Sequence, residues 1–378
     1  MNLEQIRDKI DDVDDKLIKL FYERMELSGM VAQYKKDNNL SVANKSRERE
    51  IITRLTKDAG DLEMYVRILY STIFDLSRSY QTSLINKTDA LTEKIVSAAN
   101  NTQKLFPKKA VIACQGVEGA YSQLAGEKLF PMANVMYFKN FDSVFSAVDK
   151  GLCKYGILPI ENSSHGSVGE VYDLMLKYNF HIVRSIKLCV SHELLAKPGT
   201  KMEDITEIVS HEQGIGQCSK FLSTLKNVKI TTCPNTALAA EYVAKSNSNT
   251  VASISSHNCA QLYGLTTINR DIQDSDNNYT RFICISKDLE IYPGANRISL
   301  MISLSHEPGS LYELLAKFAA LGLNLTKLES RPVVGKDFEF MFYFDFEASV
   351  LEPQVISLLS EISRTNDTFV FLGNYSEV

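Results

Sequence analysis

The stretch from Leu3 to Tyr34 places an apolar side chain at every third or fourth position. This period is that of one long helix with a narrow apolar face, broken once at Arg24. A helix of about 30 residues is about 45 Å long and is not stable alone, so its apolar face needs helices from its own chain or from a second chain. The apolar positions are Leu3, Ile6, Ile10, Val13, Leu17, Leu20, Leu27, Val31 and Tyr34.

Two further helical segments follow, near residues 46–57 and 62–84, and the turn sequence DAGD separates them. Residues 1–86 are therefore predicted to form an all-α three-helix domain, called the helical domain below. Its first helix is expected to pack against a second subunit.

Composition narrows the class of protein. The 378 residues exceed what one hydrophobic core usually holds, which predicts two or three domains. With 46 acidic and 41 basic residues and no basic block, the chain lacks the charge pattern of a nucleic-acid-binding protein. The start resembles no secretion signal and no 18 apolar residues run together, so we expect a cytoplasmic protein with no membrane partner. Seven cysteines without a CxxC pair, and no HExxH sequence, argue against a metal site, and we expect no cofactor.

The rest of the chain changes from helical to mixed patterns. Residues 87–108 are polar and weakly periodic, which is typical of a linker that can carry a short helix. In residues 109–288, the middle domain, β-branched runs alternate with helical stretches, which predicts an open α/β domain with a largely parallel sheet and two lobes. Residues 296–378, the C-terminal domain, have the order βαββαβ of a ferredoxin-like α+β domain.

Polar residues interrupt the apolar faces of the helical domain. Arg24 and Lys35 are eleven residues apart, which places them about 20° from one another on one helix face. A single such cation is usually an ion pair or a side chain that extends to solvent, but further polar residues point to the same interior. Because guanidinium groups pair with carboxylates, this interior suggests a small dicarboxylate ligand. The further residues are Arg47 and Glu48 at the start of the second helix, Ser77 and Gln81 on the third, and Arg7, which would face the partner subunit.

This set resembles the all-helical chorismate mutase domain, a dimer in which each pocket takes an arginine from its neighbour. The resemblance covers the whole first segment and implies a pericyclic rearrangement of chorismate to prephenate, which needs a compact conformation and charge stabilisation at the ether oxygen. Asn44 stands where the family pattern usually has Asp, and the effect depends on whether this position acts through its backbone or its charge. The resemblance implies that Lys35 and Gln81 bind the ether oxygen, Glu48 binds the ring hydroxyl, and Arg7, Arg24, Arg47, Asn44 and Ser77 bind the substrate.

Small polar residues recur in the middle domain where predicted strands end. Ligands of open α/β sheets bind at this edge, so five such places predict the lining of one pocket. The first of them, in CQGVEGAYSQLAGE, lacks both nucleotide-binding glycine patterns and is as well explained by an ordinary turn. The residues concerned are Ser122, then Glu161, Asn162 and Ser163 in IENSSHG, Gln217 in SHEQGIGQC, Thr236 in NTALAA, and Asn278, Thr280, Arg281 and Phe282 in NNYTRF.

These motifs are similar, in order, to those of prephenate dehydratase, whose signature is the Thr-Arg-Phe triplet at residues 280–282. The resemblance implies that Thr280 assists departure of the ring hydroxyl while prephenate loses CO₂ and becomes aromatic; the other residues would bind the substrate. Arg281 pairs either with a substrate carboxylate or with a protein carboxylate that fixes the strand. Two departures from the family pattern, GVEGAY and Asn235, are conservative.

The sequence HEPGSLYELLAKFAALGLNLTKLESRP resembles the phenylalanine-sensing ACT domain. ACT domains pair side by side and bind an amino acid where the amides of a helix N-terminus meet its carboxylate. The alternative is a purely structural dimerisation module. The implied site comprises Gly309, Ser310, Leu311 and Asn324, and Glu329, Ser330 and Arg331 contribute to it or to an allosteric hinge.

The chain is thus identified as a member of the bifunctional chorismate mutase–prephenate dehydratase family with a C-terminal ACT domain. The resemblance implies an enzyme that converts chorismate through prephenate to phenylpyruvate, is inhibited by L-phenylalanine and forms a dimer or tetramer. The rival hypothesis is a chorismate mutase fused to a non-catalytic sensor of an aromatic metabolite. Thr280, Arg281 and the charged bundle argue against a sensor, which would not need them, and the missing dinucleotide pattern argues against a dehydrogenase.

Overall fold

A computed structural model of the protein describes residues 2–85, 90–275, 277–332, 340–366 and 368–378. Along these residues the chain forms the three predicted regions in order: a helical domain, a two-lobed middle domain and an α+β C-terminal domain. No helix in the described ranges is long and apolar enough to cross a membrane.

Three α-helices form the helical domain, as the apolar repeat predicts. Asn2 accepts a hydrogen bond from the Gln5 backbone N–H at 2.9 Å, and the Gln5 side chain accepts one from the Asn2 N–H at 3.1 Å. This capping box satisfies two N–H groups that the first helical turn leaves free. The predicted DAGD turn contains the start of a short 3₁₀ segment, Gly60–Leu62. The helices are α1 (Leu3–Asp37), α2 (Lys45–Thr56) and α3 (Glu63–Ile85).

The apolar face of α1 is uncovered in the single chain. The positions from Leu3 to Tyr34 that define this face are 43–64% exposed, although Ala32 on another face of the helix is buried. Burial of one large apolar side chain stabilises a protein by about 1.5–3 kcal/mol. A continuous apolar face of this length is therefore typical of a surface that a second subunit covers.

The segment expected to be a linker contains the predicted short helix, α4 (Ala90–Asn101). Ile95 of α4 is only 1% exposed and lies in one core cluster with residues of the C-terminal domain, among them Leu300 and Phe344. The Thr102 hydroxyl accepts a hydrogen bond from the Ile291 N–H at 3.0 Å. This part of the segment is thus a packed component of the C-terminal core and not a free connector. The predicted boundary at residues 86 and 87 lies outside the described residues.

The first lobe of the middle domain is a sheet in the order β2-β1-β3-β11-β5, with the short β4 paired to β3. Strand β1 is parallel to β2 and β3, whereas β11 is antiparallel to both β3 and β5. The elements are β1 (Val111–Gln115), α5 (Tyr121–Leu129), β2 (Asn134–Phe138), α6 (Phe141–Asp149), β3 (Tyr155–Asn162), β4 (Gly166–Ser167), α7 (Gly169–Tyr178), β5 (His181–Cys189) and β11 (Tyr279–Ser286).

The second lobe is inserted between β5 and β11, and its sheet has the order β10-β6-β9-β7-β8. The prediction of a largely parallel sheet is wrong, since each lobe mixes parallel and antiparallel pairs. The chain leaves the first lobe through β5 and returns through β11, so these neighbouring strands run in opposite directions. The elements are β6 (Glu193–Ala196), β7 (Glu207–Ser210), α8 (Glu212–Gln217), α9 (Ser219–Ser223), β8 (Lys229–Thr232), α10 (Thr236–Lys245), β9 (Val251–Ser255), α11 (His257–Tyr263) and β10 (Thr266–Asn269).

The C-terminal domain has the predicted βαββαβ order. Its antiparallel sheet, in the order β13-β14-β12-β15, has the strand arrangement of a ferredoxin-like domain. The elements are β12 (Arg297–Ser303), α12 (Ser310–Ala320), β13 (Asn324–Pro332), β14 (Phe340–Glu347), α13 (Pro353–Thr365) and β15 (Phe369–Tyr375).

The middle and C-terminal domains are joined along β5. The Ser185 N–H donates to the Ser376 carbonyl at 3.1 Å, and the Val378 N–H donates to the Ser185 carbonyl at 3.0 Å. Gly373 has φ +150°, and a Cβ there would lie 2.2 Å from the Ile182 carbonyl oxygen, so only glycine permits this approach. The two domains also share a hydrophobic core, which holds β14 and β15 against the first lobe.

Candidate active sites

Two side chains of α3 hold two cations of α1 in the helical domain. Arg24 Nη1 donates to the Ser77 hydroxyl, and Lys35 Nζ donates to Gln81 Oε1 at 3.1 Å. Ser77 and Gln81 are four residues apart and both are buried, so one face of α3 carries both acceptors. Burial lowers the pKa of Arg24 and of Lys35, which fits cations in a partly enclosed pocket. The structure therefore brings together these four predicted residues.

Glu48 of α2 lies beside the same part of α3, where Arg78 Nη1 donates to Glu48 Oε1 at 2.5 Å. Arg78 also pairs with Asp75. Burial lowers the pKa of Arg78, but the hydrogen bond with Glu48 and the charge of Asp75 outweigh it and raise that pKa. Sequence reasoning missed Arg78; the signal available was its spacing of three residues from Asp75 on the face towards α2.

Two predicted residues of the helical domain lie outside this cluster. Arg47 is exposed and pairs with Glu50 at 3.0 Å. Arg7 is also exposed and lies seventeen residues, roughly 25 Å, along α1 from Arg24. Within one chain Arg7 therefore cannot reach the Arg24 pocket.

Asn44 is the N-cap of α2, and its Oδ1 accepts a hydrogen bond from the Arg47 N–H at 3.0 Å. Asn and Asp are equivalent in this role because both present a side-chain oxygen to the first helical turn. The departure at this position thus preserves the local fold.

In the middle domain, β3 and β11 bring Asn162 and Thr280 together as register partners. Asn162 Nδ2 donates to Thr280 Oγ1 at 2.9 Å and to Asn278 Oδ1 at 2.9 Å. Thr280 and Asn278 are buried, and Asn278 Nδ2 has no hydrogen-bond partner within the described part of the chain. A buried amide of this kind costs free energy unless a ligand accepts its hydrogen bond.

A contact across the cleft joins the two lobes. Gln217 Nε2 of the second lobe donates to His165 Nδ1 of the first lobe at 3.1 Å, and Gln217 Oε1 accepts from His192 Nε2 at 2.7 Å. Burial lowers the pKa of His192, so its imidazole is neutral near pH 7. Sequence reasoning found Gln217 but missed both histidines; His165 stands inside the IENSSHG motif, which was the available signal.

The remaining predicted residues of the middle domain have other surroundings. The Ser163 hydroxyl donates to the Asn277 carbonyl at 2.9 Å and accepts from the Tyr279 N–H at 2.9 Å, so it ties two loops together. Phe282 lies in the core of the first lobe and not in the cleft, because β11 is buried on both faces. Ser122 is buried in the first turn of α5, and Thr236 begins α10 with Asn235 as its N-cap.

Arg281 pairs with a protein carboxylate, which is the second of its two predicted alternatives. Its Nη2 donates to Asp345 of β14, and both side chains are buried. Glu161, the register partner of Arg281, receives Lys327 Nζ of β13 at 2.9 Å. The C-terminal domain therefore reaches two residues that neighbour Asn162 and Thr280.

The residues predicted to bind L-phenylalanine or to form its allosteric hinge lie in two groups. Glu329 and Arg331 face the middle domain, where Glu329 accepts from Ser167 and Arg331 pairs with Asp173 at 2.9 Å. Ser330 lies exposed between them. The others lie at element ends: Gly309 is the N-cap of α12 with φ +94°, Ser310 donates to the Glu307 carbonyl at 2.9 Å, Leu311 is partly buried, and Asn324 donates to Glu347 at 3.3 Å.

No group of three or more His, Cys, Asp and Glu side chains in the described ranges is placed to hold a metal ion. Besides the carboxylates of Glu48 and Glu161, both sites contain hydrogen-bond donors, cations and neutral amides. Such sites bind and orient anionic organic ligands and stabilise developing negative charge.

Comparison with known proteins matches two segments of the chain to enzyme families. Residues 6–82 match the family model of chorismate mutase type II, and residues 112–290 match that of prephenate dehydratase. The fold and its sites thus define a mutase joined to a dehydratase.

Relatives share this organisation. The bifunctional chorismate mutase/prephenate dehydratase of Escherichia coli (strain K12) is 30% identical over 98% of this chain and 95% of its own length. Arogenate dehydratase/prephenate dehydratase 2 of Arabidopsis thaliana is 37% identical over 79% of this chain and 81% of its own. The crystal structure of the Arthrobacter aurescens prephenate dehydratase in complex with L-Phe has a TM-score of 0.65 and 27% identity, over 70% of this chain and 89% of that one.

The chain belongs to the bifunctional chorismate mutase/prephenate dehydratase family. It is an isomerase that rearranges chorismate to prephenate and a lyase that converts prephenate to phenylpyruvate. The rival hypothesis of a non-catalytic sensor does not account for a prephenate dehydratase match over residues 112–290.

Proposed function

We propose that the two reactions use separate sites: a mutase site around Arg24 and Lys35, and a dehydratase site around Thr280. In the mutase site the substrate rearranges without a nucleophile, so the protein has to hold a compact conformer and stabilise negative charge on the ether oxygen. Lys35 supplies a cation for this oxygen. Gln81 Oε1 accepts a hydrogen bond from Lys35. The Gln81 amide nitrogen, Nε2, therefore remains a donor and can donate to the same ether oxygen.

The mutase site is completed by a second copy of the chain. Arg24 and Ser77 would bind one substrate carboxylate, and Arg7 of a partner subunit would bind the other. The observations that support this are the uncovered apolar face of α1 and the exposed position of Arg7 on the same helix. A dimer formed through α1 places the first turns of one α1 against the bundle of its partner.

In the dehydratase site, Thr280 donates a hydrogen bond to the departing ring hydroxyl. The carbon–carbon bond to the ring carboxylate breaks, CO₂ leaves, and its electron pair enters the ring as the carbon–oxygen bond breaks. The hydroxyl leaves as water after taking one proton, so prephenate and a proton give phenylpyruvate, CO₂ and water. The single observation that carries this assignment is the Asn162 bond to Thr280 Oγ1, which leaves the Thr280 proton free to be donated.

The C-terminal domain acts as an ACT domain that senses L-phenylalanine. Two observations support this: its ferredoxin-like strand order, and the left-handed Gly309 immediately before α12, which begins without a side-chain cap. The N-terminus of such a helix can bind a carboxylate through its backbone N–H groups. The related Arthrobacter aurescens enzyme was solved in complex with L-Phe. Pairing of these domains would add a second interface to the one through α1, giving a dimer or a tetramer.

A time course of phenylpyruvate formation from prephenate, with and without L-phenylalanine, tests both assignments. Fast formation that L-phenylalanine suppresses is the expected result. Fast formation that is insensitive to the amino acid would leave the C-terminal domain as a structural module, and no formation by folded protein would refute the Thr280 site.

Arogenate is a second candidate substrate of the same site, because the Arabidopsis thaliana relative is named for both arogenate and prephenate. Arogenate carries an amino group where prephenate carries the side-chain ketone, while the ring chemistry is unchanged. Discrimination therefore depends on contacts to the side chain and not on Thr280. Comparison of kcat/KM for the two substrates decides which one the site prefers.

A further inference from the structure

Four charged residues form a closed cluster where the middle and C-terminal domains meet. Arg281 and Glu161 are register partners on β11 and β3, and Lys327 and Asp345 are register partners on β13 and β14. Each domain thus contributes one cation and one anion. We call these four residues the interdomain cluster.

Charges alternate around the interdomain cluster. Arg281 donates to Asp345, and Lys327 lies 2.9 Å from Glu161, so each cation meets an anion of the other domain. Arg281 Nε lies 3.9 Å from Glu161 and is buried without a hydrogen-bond partner in the described ranges. Lys327 also lies 3.3 Å from Glu329 and donates to Ser167 Oγ at 2.7 Å.

Burial increases from the cleft towards the C-terminal sheet. The Glu161 side chain is 37% exposed, Lys327 10%, Arg281 5% and Asp345 0%. Ion pairs with this little exposure are weakly screened, and loss of one partner leaves a charge that the protein compensates poorly. The cluster is therefore a sensitive electrostatic connection and not a surface salt bridge.

The C-terminal domain holds its side of the interdomain cluster rigidly. Asp345 accepts a second hydrogen bond from Ser299, whose hydroxyl also contacts Tyr375 at 2.7 Å and Tyr343 at 3.2 Å. All of these side chains are buried. Contacts within the C-terminal domain thus hold the Asp345 carboxylate in the position where Arg281 binds it.

The other side of the interdomain cluster adjoins the dehydratase site. Glu161 directly precedes Asn162, and Arg281 directly follows Thr280. These two neighbours are the donor and acceptor of the hydrogen bond that orients the Thr280 hydroxyl. A displacement of either charged residue moves the backbone that carries this bond.

We propose that Lys327 and Asp345 of the C-terminal domain are positioning residues for the dehydratase reaction. They fix Glu161 and Arg281, and through them the Asn162–Thr280 pair. Lys327 also neutralises Glu161 and Glu329, which would otherwise repel an anionic substrate. This inference rests on the proposed site around Thr280.

The test uses the full-length chain with Lys327→Met, which removes the charge but keeps most of the side-chain volume. We expect kcat for prephenate to fall on the order of ten-fold and KM to rise, because misplacement of an orienting group by a fraction of an ångström lowers the rate by such factors. Lys327→Arg should recover a large part of kcat. Circular dichroism and the urea midpoint of the same preparations report whether the chain is folded.

Asp173→Asn is the matched control. Asp173 pairs with Arg331, which lies on the same strand as Lys327 and spans the same domain boundary, but this pair is exposed and lies away from the interdomain cluster. We expect its dehydratase kcat to stay near that of the wild type. Equal losses in Lys327→Met and Asp173→Asn, or an unchanged kcat in Lys327→Met, would overturn the proposal.

A Thr280→Ala variant distinguishes failure of the positioning role of Lys327 from failure of the proposed Thr280 site. If it abolishes phenylpyruvate formation while Lys327→Met has no effect, the Thr280 site stands and the positioning role fails. If Thr280→Ala retains full activity, the proposed site itself fails.

Discussion

Asn162 of β3 donates a hydrogen bond to Thr280 Oγ1 of β11 at 2.9 Å. This bond occupies one lone pair of the hydroxyl oxygen and leaves its proton available to a group in the cleft. A Thr hydroxyl is too weak an acid to transfer its proton completely at neutral pH, so its contribution is an oriented hydrogen bond to the departing oxygen.

Replacement of Thr280 by Ala removes that donor. We expect the dehydratase kcat to fall on the order of a hundred-fold or more, as when one oriented donor is removed from an oxyanion site. Mutase activity should stay within about two-fold of wild type because the sites are distant and independent. Thr280→Ser keeps the hydroxyl and should retain much of kcat; comparable losses of both activities in Thr280→Ala would contradict the assignment.

Replacement of Lys35 by Ala removes the cation that Gln81 holds. We expect the mutase kcat to fall on the order of a hundred-fold or more, because charge on the ether oxygen then lacks its main stabilisation. Dehydratase activity is the internal reference. Lys36→Ala, which changes the next and exposed residue of α1, should leave both activities unchanged; equal effects of the two variants would refute the role of Lys35.

Arg7 and Arg24 belong to one pocket only if two chains share it. Arg7→Ala and Arg24→Ala should each lose most mutase activity. When the two variants are dissociated together and refolded, random pairing gives half mixed dimers with one intact pocket of two, so about a quarter of wild-type activity should return. Each variant refolded alone is the control. No recovery in the mixture would contradict a pocket that two chains share.

The sequence predicted those parts of the site that helix geometry fixes. A spacing of eleven residues from Arg24 to Lys35, and of four from Ser77 to Gln81, places each pair on one helix face. In the structure Arg24 contacts Ser77 and Lys35 contacts Gln81. The βαββαβ order of the C-terminal domain was equally accessible, because its periods change clearly from strand to helix.

Contacts between distant segments could not be predicted. Asp345, the partner of Arg281, lies 64 residues away in another domain, and no local spacing encodes that pair. Phe282 was expected in the site, yet it packs in the core because the pairing of β11 between two strands buries both of its faces. The parallel sheet was mispredicted for a related reason: strand direction depends on how the chain crosses between lobes.

Asn44 offers a test of how the mutase domain tolerates its departure from the family pattern. Because Asn44 caps α2 through its side-chain oxygen, Asn44→Asp should change the free energy of unfolding by only a few tenths of a kcal/mol, whereas Asn44→Ala should cost about 1 kcal/mol. Urea unfolding followed by helical circular dichroism measures both. A large change of mutase KM in Asn44→Asp without a change in stability would show that charge at this position acts on the substrate.

His181 makes the junction of α4, β5 and β15 sensitive to acid. Its Nδ1 donates to the Phe371 carbonyl at 3.0 Å, and its Nε2 accepts from Lys94 Nζ at 3.1 Å, so the imidazole is neutral in the folded protein. Burial and, secondarily, the charge of Lys94 lower the pKa of His181 to about 4. The unfolded chain should have the ordinary histidine value of about 6.5.

Between these two pKa values His181 is protonated in the unfolded chain and neutral in the folded protein. The contribution of His181 to stability is therefore complete above about pH 6.5 and decreases as the pH falls, by about 3 kcal/mol on reaching pH 4. Urea midpoints across this range should fall less steeply for His181→Gln than for wild type. His306→Gln, which changes an exposed histidine, should keep the wild-type slope. If His181→Gln also keeps that slope, another group must account for the acid sensitivity of the junction.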